Sequence, residues 1–113
     1  MFFEKELEIH KEIFPQATPQ DQLWHLCEEL NEIQQATEDT YWSEWADALF
    51  VAISLQRFEH TKSLADIMLK YLYFSYSEQA QSGLDYCLAK AIEKVKSRTY
   101  YFINGHYERE KNV

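Results

Sequence analysis

With 113 residues, 46% of them apolar, the chain is long enough for one domain with one modest core and too apolar to be disordered. Two Gly and two Pro argue against a turn-rich β architecture, and a formal net charge of -8 argues against binding a nucleic-acid polymer or an anionic membrane. The longest apolar run, Ala48 to Ile53, is far shorter than the roughly 20 residues of a membrane span.

The first segment, Phe3 to Phe14, sets Phe3, Leu7, His10 and Phe14 on one stripe and Glu4, Glu8 and Glu12 on another, a short amphipathic helix that Pro15 ends. Thr18-Pro19-Gln20-Asp21 is a helix start, with Thr as cap, Pro at the first position and an acid in the first turn. Leu23, Leu26, Cys27, Leu30 and Ile33 carry that second helix to about Ala36, and Thr37 to Thr40 reads as a polar loop ending in a fresh cap. The third helix, about Tyr41 to Phe58, is apolar nearly all round beyond its first turn, so it is expected to be buried on every side. A fourth is expected over Ser63 to Tyr76 and a fifth from Ser82-Gly83-Leu84-Asp85, with Lys90, Lys94 and Arg98 along one side. The tail, 99–113, offers Tyr100 to Ile103 and an Asn104-Gly105 turn, a small hairpin.

The fold class expected is therefore all-α. Helical hairpins form a four- to five-helix bundle over residues 1–113, one domain, with the aromatic excess (16% of residues) suited to a core completed by dimerisation. Cys27 and Cys87 sit in apolar helical patterns and are expected as buried thiols rather than a disulfide. The opening Met1 to Glu6 lacks the basic and apolar regions of a leader peptide, so a soluble cytoplasmic protein is expected.

Two acidic patterns carry chemistry. Glu28-Glu29-x-x-Glu32 lies late on the second helix, and Glu44-x-x-Asp47 lies in the first turns of the third. Residues three apart on a helix are neighbours, so each pattern makes a two-carboxylate claw. The short loop folds the two helices into an antiparallel hairpin, and Glu29, Glu32, Glu44 and Asp47 converge. Left alone, such acids raise one another's pKa. A hard divalent cation resolves the conflict, because Mg²⁺ takes oxygen ligands and shares them with substrate phosphates. A metal so placed activates water and neutralises charge on a phosphoryl group. Against this, a Glu-rich helix is most often only a solvated face; the pairing of two claws across one loop is what lifts the pattern above that.

This arrangement resembles the MazG-like, all-α nucleoside triphosphate pyrophosphohydrolase superfamily, through the two acidic motifs, the preceding Ala17 to Leu23 and the apolar run after Asp47. The resemblance implies a Mg²⁺-dependent cleavage of an NTP or dNTP to the monophosphate and pyrophosphate, with Mn²⁺ as a substitute, in a homodimer or homotetramer. It implies Glu29, Glu32, Glu44 and Asp47 as metal ligands and catalytic acids, with Glu28 flanking them. Lys94 and Arg98 match the family's basic helix as phosphate contacts, although cations there also suit a helix C-terminus. The gap between the motifs is short for the family, which narrows the nucleobase pocket or removes a specificity loop. Gln22 is a candidate to hydrogen-bond a base edge and Trp42 or Trp24 to stack on one, while core or interface is the commoner use of such aromatics.

No histidine has Glu three residues before it, which argues against a di-iron bundle, and no Gly-rich phosphate loop or nucleophile elbow occurs. The competing reading is a non-catalytic helical interaction module, its acids a solubilising face and its aromatics a docking surface.

Overall fold

The computed structural model describes residues 1–110. Helix α1 (Glu4–Ile13) leaves a left-handed Phe3 (φ 57°) and buries Leu7 and His10 from the expected stripe. Helix α2 (Pro19–Gln35) begins as its sequence dictates: the Asp21 N–H donates to Thr18 Oγ1 at 3.1 Å, with Pro19 in the first turn. Helix α3 (Tyr41–Ser54) follows a turn in which the Thr37 N–H donates to Thr40 Oγ1 at 3.0 Å. Thr40 therefore closes the loop instead of capping α3 with its side chain.

From Trp45 to Ser54 every residue of α3 is buried except Asp47 and Val51, as its all-round apolarity demands. The helix ends four residues before the expected Phe58, and two 3-10 turns, Leu55–Arg57 and Glu59–Thr61, replace its last turn. Phe58 is extended between them, and Thr61 Oγ1 reaches back to donate to the Leu55 carbonyl at 2.7 Å. Helix α4 (Lys62–Leu69) then runs into a π-helical turn, Lys70–Phe74, where one regular helix was expected. The turn aims the Leu72 carbonyl at α3, where it accepts from the Trp45 indole at 2.8 Å.

Helix α5 (Glu78–Lys96) starts at Ser77, not at Ser82. Ser77 Oγ takes the Ala80 N–H at 3.3 Å, and Gly83 is carried inside the helix, a position that costs about 1 kcal/mol relative to Ala but does not end it. Strands β1 (Tyr100–Ile103) and β2 (His106–Arg109) form the hairpin read from the sequence, with Asn104 at φ 55° and Gly105 at φ 83°, the pair of positive angles a two-residue I′ turn requires. The last three residues of the expected 99–113 tail lie outside the described residues.

The architecture is an all-α bundle with α3 at its centre, packed between α2 and α5 and closed by α1 and α4. Leu7, Leu49, Ile53, Leu69, Leu72 and Leu88 make the core continuous across these helices. Cys27 is exposed and Cys87 half-buried, both as free thiols. The expectation of buried thiols fails because the stripe α2 buries is centred on Leu26 and leaves Cys27 on its solvent flank. Among the described residues no helix is long and apolar enough to cross a membrane.

Candidate metal centre

The loop of Thr37 to Thr40 is short enough that α2 and α3 pack side by side in opposite directions. Gln22 at the start of α2 meets Ser54 at the end of α3, Ser54 Oγ donating to Gln22 Oε1 at 2.8 Å. At the opposite end of the pair, each claw faces the other. Glu29, Glu44 and Asp47 each present one carboxylate oxygen within 4.8 Å of the other two. Oxygens that share one Mg²⁺ at about 2.1 Å stand about 3 to 4 Å apart, a spacing of the same order as that bound.

Burial supplies the test of fit. Glu29 Oε2 and Glu44 Oε2 are buried with no hydrogen-bond partner. An unsatisfied buried polar atom is uncommon and costs about 1–3 kcal/mol, more when it carries charge. The energetic consequence appears in the acids' titration. The Glu29 carboxyl is pushed up to about 8, by burial first and then by the charges of Asp47, Glu32 and Glu44. Glu44 is raised by burial and by Glu32. Asp47 is raised by burial as well, opposed by Lys94, whose ammonium donates to Asp47 Oδ2 at 2.9 Å. All three hard-oxygen donors gain from a cation, and a divalent ion fits their number and charge.

Glu32, the fourth expected ligand, is exposed at the rim, outside the trio but close enough for its charge to raise both Glu29 and Glu44. Glu28 lines the same cleft with its Oε1 3.5 Å from His25 Nδ1. Lys94 meets Asp47 instead of open space, and Arg98 lines the cleft near Asp47, whose carboxyl it helps keep ionised. Gln22 is also in the cleft wall, about two turns or 10 Å of helix from Glu29, but it is buried and already holds Ser54 and Asp21. Trp42 is not there. It lines a separate apolar hollow of about 270 Å³ with Tyr76, Leu84 and Cys87, because the first turn of α3 aims it away from α2. Trp24 is exposed and outside the cleft.

The cleft itself measures about 460 Å³, within the range of small-ligand sites. Its acidic end is the cluster just described. The rest of its wall comes from residues the acidic motifs do not announce: His10 and Phe14 of α1 and its C-terminus, Phe50 of α3, and Tyr100, Tyr107 and Arg109 of the hairpin. Arg57 organises the His10 and Phe14 part of the wall, donating to the Phe14 carbonyl at 2.9 Å and meeting His10 Nδ1 at 3.0 Å. A guanidinium only donates, so His10 Nδ1 accepts and the ring proton sits on Nε2. Burial and the Arg57 charge together push the His10 imidazole down to about 3, which keeps it neutral. Asp21 is fully buried with Oδ1 3.1 Å from His25 Nε2, a pairing that the i, i+4 spacing of the two residues on α2 makes legible in the sequence.

Compared with protein-family models, curated proteins and solved structures, the chain matches none of them.

Proposed function

We propose that the chain is a Mg²⁺-dependent nucleoside triphosphate pyrophosphohydrolase of the MazG-like kind, converting an NTP or dNTP to the monophosphate and pyrophosphate. The observation that carries the reading is the pair of buried carboxylate oxygens, Glu29 Oε2 and Glu44 Oε2, left without partners beside Asp47 at one end of a nucleotide-sized cleft. Three acids held so close and half-buried gain, as anions, from a cation shared among them.

In this reading Glu29, Glu44 and Asp47 hold the metal, Glu32 closes on it from the rim, and Glu28 orients the flank through His25. Bound there, Mg²⁺, or Mn²⁺ in its place, supplies Lewis-acid stabilisation of charge developing on a phosphoryl group. Lys94 and Arg98 bring positive charge to the same wall, where a polyphosphate chain needs it. Phe50 and Val51 line the cleft beside them and exclude water from the reacting end. The role that fits is housekeeping of the cytoplasmic nucleotide pool. A homodimer or homotetramer is the working form; the apolar hollow beside Trp42, with Trp42 47% exposed, supports a partner subunit there.

A panel of NTPs and dNTPs, scored for pyrophosphate against orthophosphate, tests the reading. Pyrophosphate appears only with Mg²⁺ or Mn²⁺, and Glu32→Gln abolishes it with the circular dichroism spectrum unchanged. No pyrophosphate from any nucleotide with either metal overturns the assignment in favour of an interaction module; metal-independent turnover overturns the metal's part in it, and full activity in Glu32→Gln removes Glu32 from the site.

A further inference from the structure

The terminal hairpin is tied to the body of the protein at points that make it a wall of the cleft. The Gln16 N–H donates to Tyr107 Oη at 2.8 Å, and the Phe14 ring is held edge-on by Tyr100 at 4.7 Å and Tyr107 at 5.1 Å between centroids. The Glu110 N–H donates to the Thr99 carbonyl at 2.8 Å, which clamps the foot of the hairpin next to the end of α5.

Register decides what the hairpin presents. Tyr100 stands opposite Arg109, and Phe102 opposite Tyr107. Side chains alternate along a strand and directly opposed residues share a face, so Tyr100, Phe102, Tyr107 and Arg109 point the same way. Three of these four, Tyr100, Tyr107 and Arg109, line the cleft, and Phe102 packs on Tyr107 with centroids 5.0 Å apart. Tyr100 follows Arg98 by two residues and pairs with Arg109, and both arginines line the one cleft.

The protein holds 19 acids against 11 Lys and Arg, yet among the described residues neither Arg98 nor Arg109 pairs with a carboxylate. Lys94 alone is spent on Asp47. Two guanidinium groups on the lip of an acid-ended cleft, unpaired in a chain so rich in acids, are a seat for an anion that arrives from outside. Guanidinium suits phosphate oxygens in particular, as a planar fork that donates two parallel hydrogen bonds.

We propose that the hairpin is part of the substrate site and that Arg109, with Arg98, seats the polyphosphate chain of a nucleoside triphosphate next to the acid cluster. The inference rests on the pyrophosphohydrolase reading for the identity of the anion. The arginines hold the phosphates that the metal does not, and this makes the site prefer a triphosphate to a monophosphate.

The test is calorimetric binding of inorganic tripolyphosphate and of orthophosphate to the whole chain and to Arg109→Ala and Arg109→Lys, with Mn²⁺ binding to each protein measured separately. Arg109→Ala is expected to weaken tripolyphosphate at least about tenfold, the loss of one charge-assisted pair, while orthophosphate and Mn²⁺ bind as in the parent. Arg109→Lys recovers only part of the loss, since an ammonium lacks the fork. Amide exchange over residues 100–109 verifies that the hairpin persists in each variant. Tripolyphosphate affinity within twofold of the parent in Arg109→Ala, with Mn²⁺ still bound, overturns the arginine seat and leaves the metal reading standing. Arg109-dependent tripolyphosphate binding in a chain that takes no Mn²⁺ does the reverse.

Discussion

Glu29 is the residue at which burial and charge conflict most openly. Its carboxyl titrates near 4.5 in an unfolded chain and near 8 in the fold. Between those values the folded protein binds the proton more tightly than the unfolded one, so stability is highest below about pH 4.5 from this group and is lost as pH rises through 8. Glu29→Gln keeps the shape of the protonated acid and removes the titration. Without metal, the variant melts higher than the parent at pH 8.5, by about 4 °C for each kcal/mol of repulsion removed in a chain of this size. The difference shrinks towards pH 4.5, and scanning calorimetry across that range reads it. Saturating Mn²⁺ inverts the order, because only the parent keeps the full ligand set. A melting difference that ignored both pH and Mn²⁺ would remove the claim that these acids form one electrostatic unit. That Glu29 is the central acid, rather than Glu32, was not legible in the spacing. Both lie on the same flank of α2, and which one enters the interior depends on how α2 is rotated against α3.

At the scale of elements, local chemistry named most starts and stops. Thr18 with Pro19 began α2 as expected, and Asn104-Gly105 made the hairpin turn at the two positive φ angles that the type requires. Where local signals failed, a competing partner explains the failure. Thr40 was drawn to Thr37, and Ser77 supplied the cap that Ser82 was expected to give. Leu72 offered its carbonyl to the Trp45 indole within a π turn that apolar periodicity does not encode. Gly105, at φ 83°, is the element's most exacting position. Gly105→Ala has open space for its methyl but the wrong backbone preference, and costs the hairpin about 1–2 kcal/mol. Amide exchange over 100–109 then quickens, while protection in α3 stays at the parent's level. Loss of protection in both would mean that the hairpin and the bundle open together, through the contacts that Tyr100 and Tyr107 make with Phe14.

For the whole molecule, the radius of gyration of 13.6 Å is close to the roughly 13 Å expected of a compact chain of this length. Several aromatic side chains remain uncovered, among them Trp42, Tyr71 and Tyr86, which are 47%, 62% and 65% exposed. Trp42 borders the apolar hollow on α5, and Gly83 in that hollow leaves room for a neighbour, since a Cβ placed there meets nothing within 4 Å. We expect Trp42→Glu to shift a dimer towards monomer in sedimentation equilibrium, by at least about tenfold in dissociation constant if this tryptophan anchors the interface. A parent protein that sediments as a monomer at every concentration, or a Trp42→Glu variant that dimerises as well as the parent, removes that surface from the assembly.

The sequence by itself determined that the chain is a helical bundle, that its third helix lies at the centre, and that two acidic claws face each other across one loop. Each of these follows from periodicity and spacing within a single hairpin, interactions that a linear pattern records. The tertiary structure alone decided that Glu29, Glu44 and Asp47 form the close trio with Glu32 at the rim, that Trp42 looks away from the cleft, and that Arg109 looks towards it. Those outcomes depend on the rotation of one helix against another and on where a hairpin lands after α5. Such contacts join residues far apart in the chain, and no local spacing encodes them.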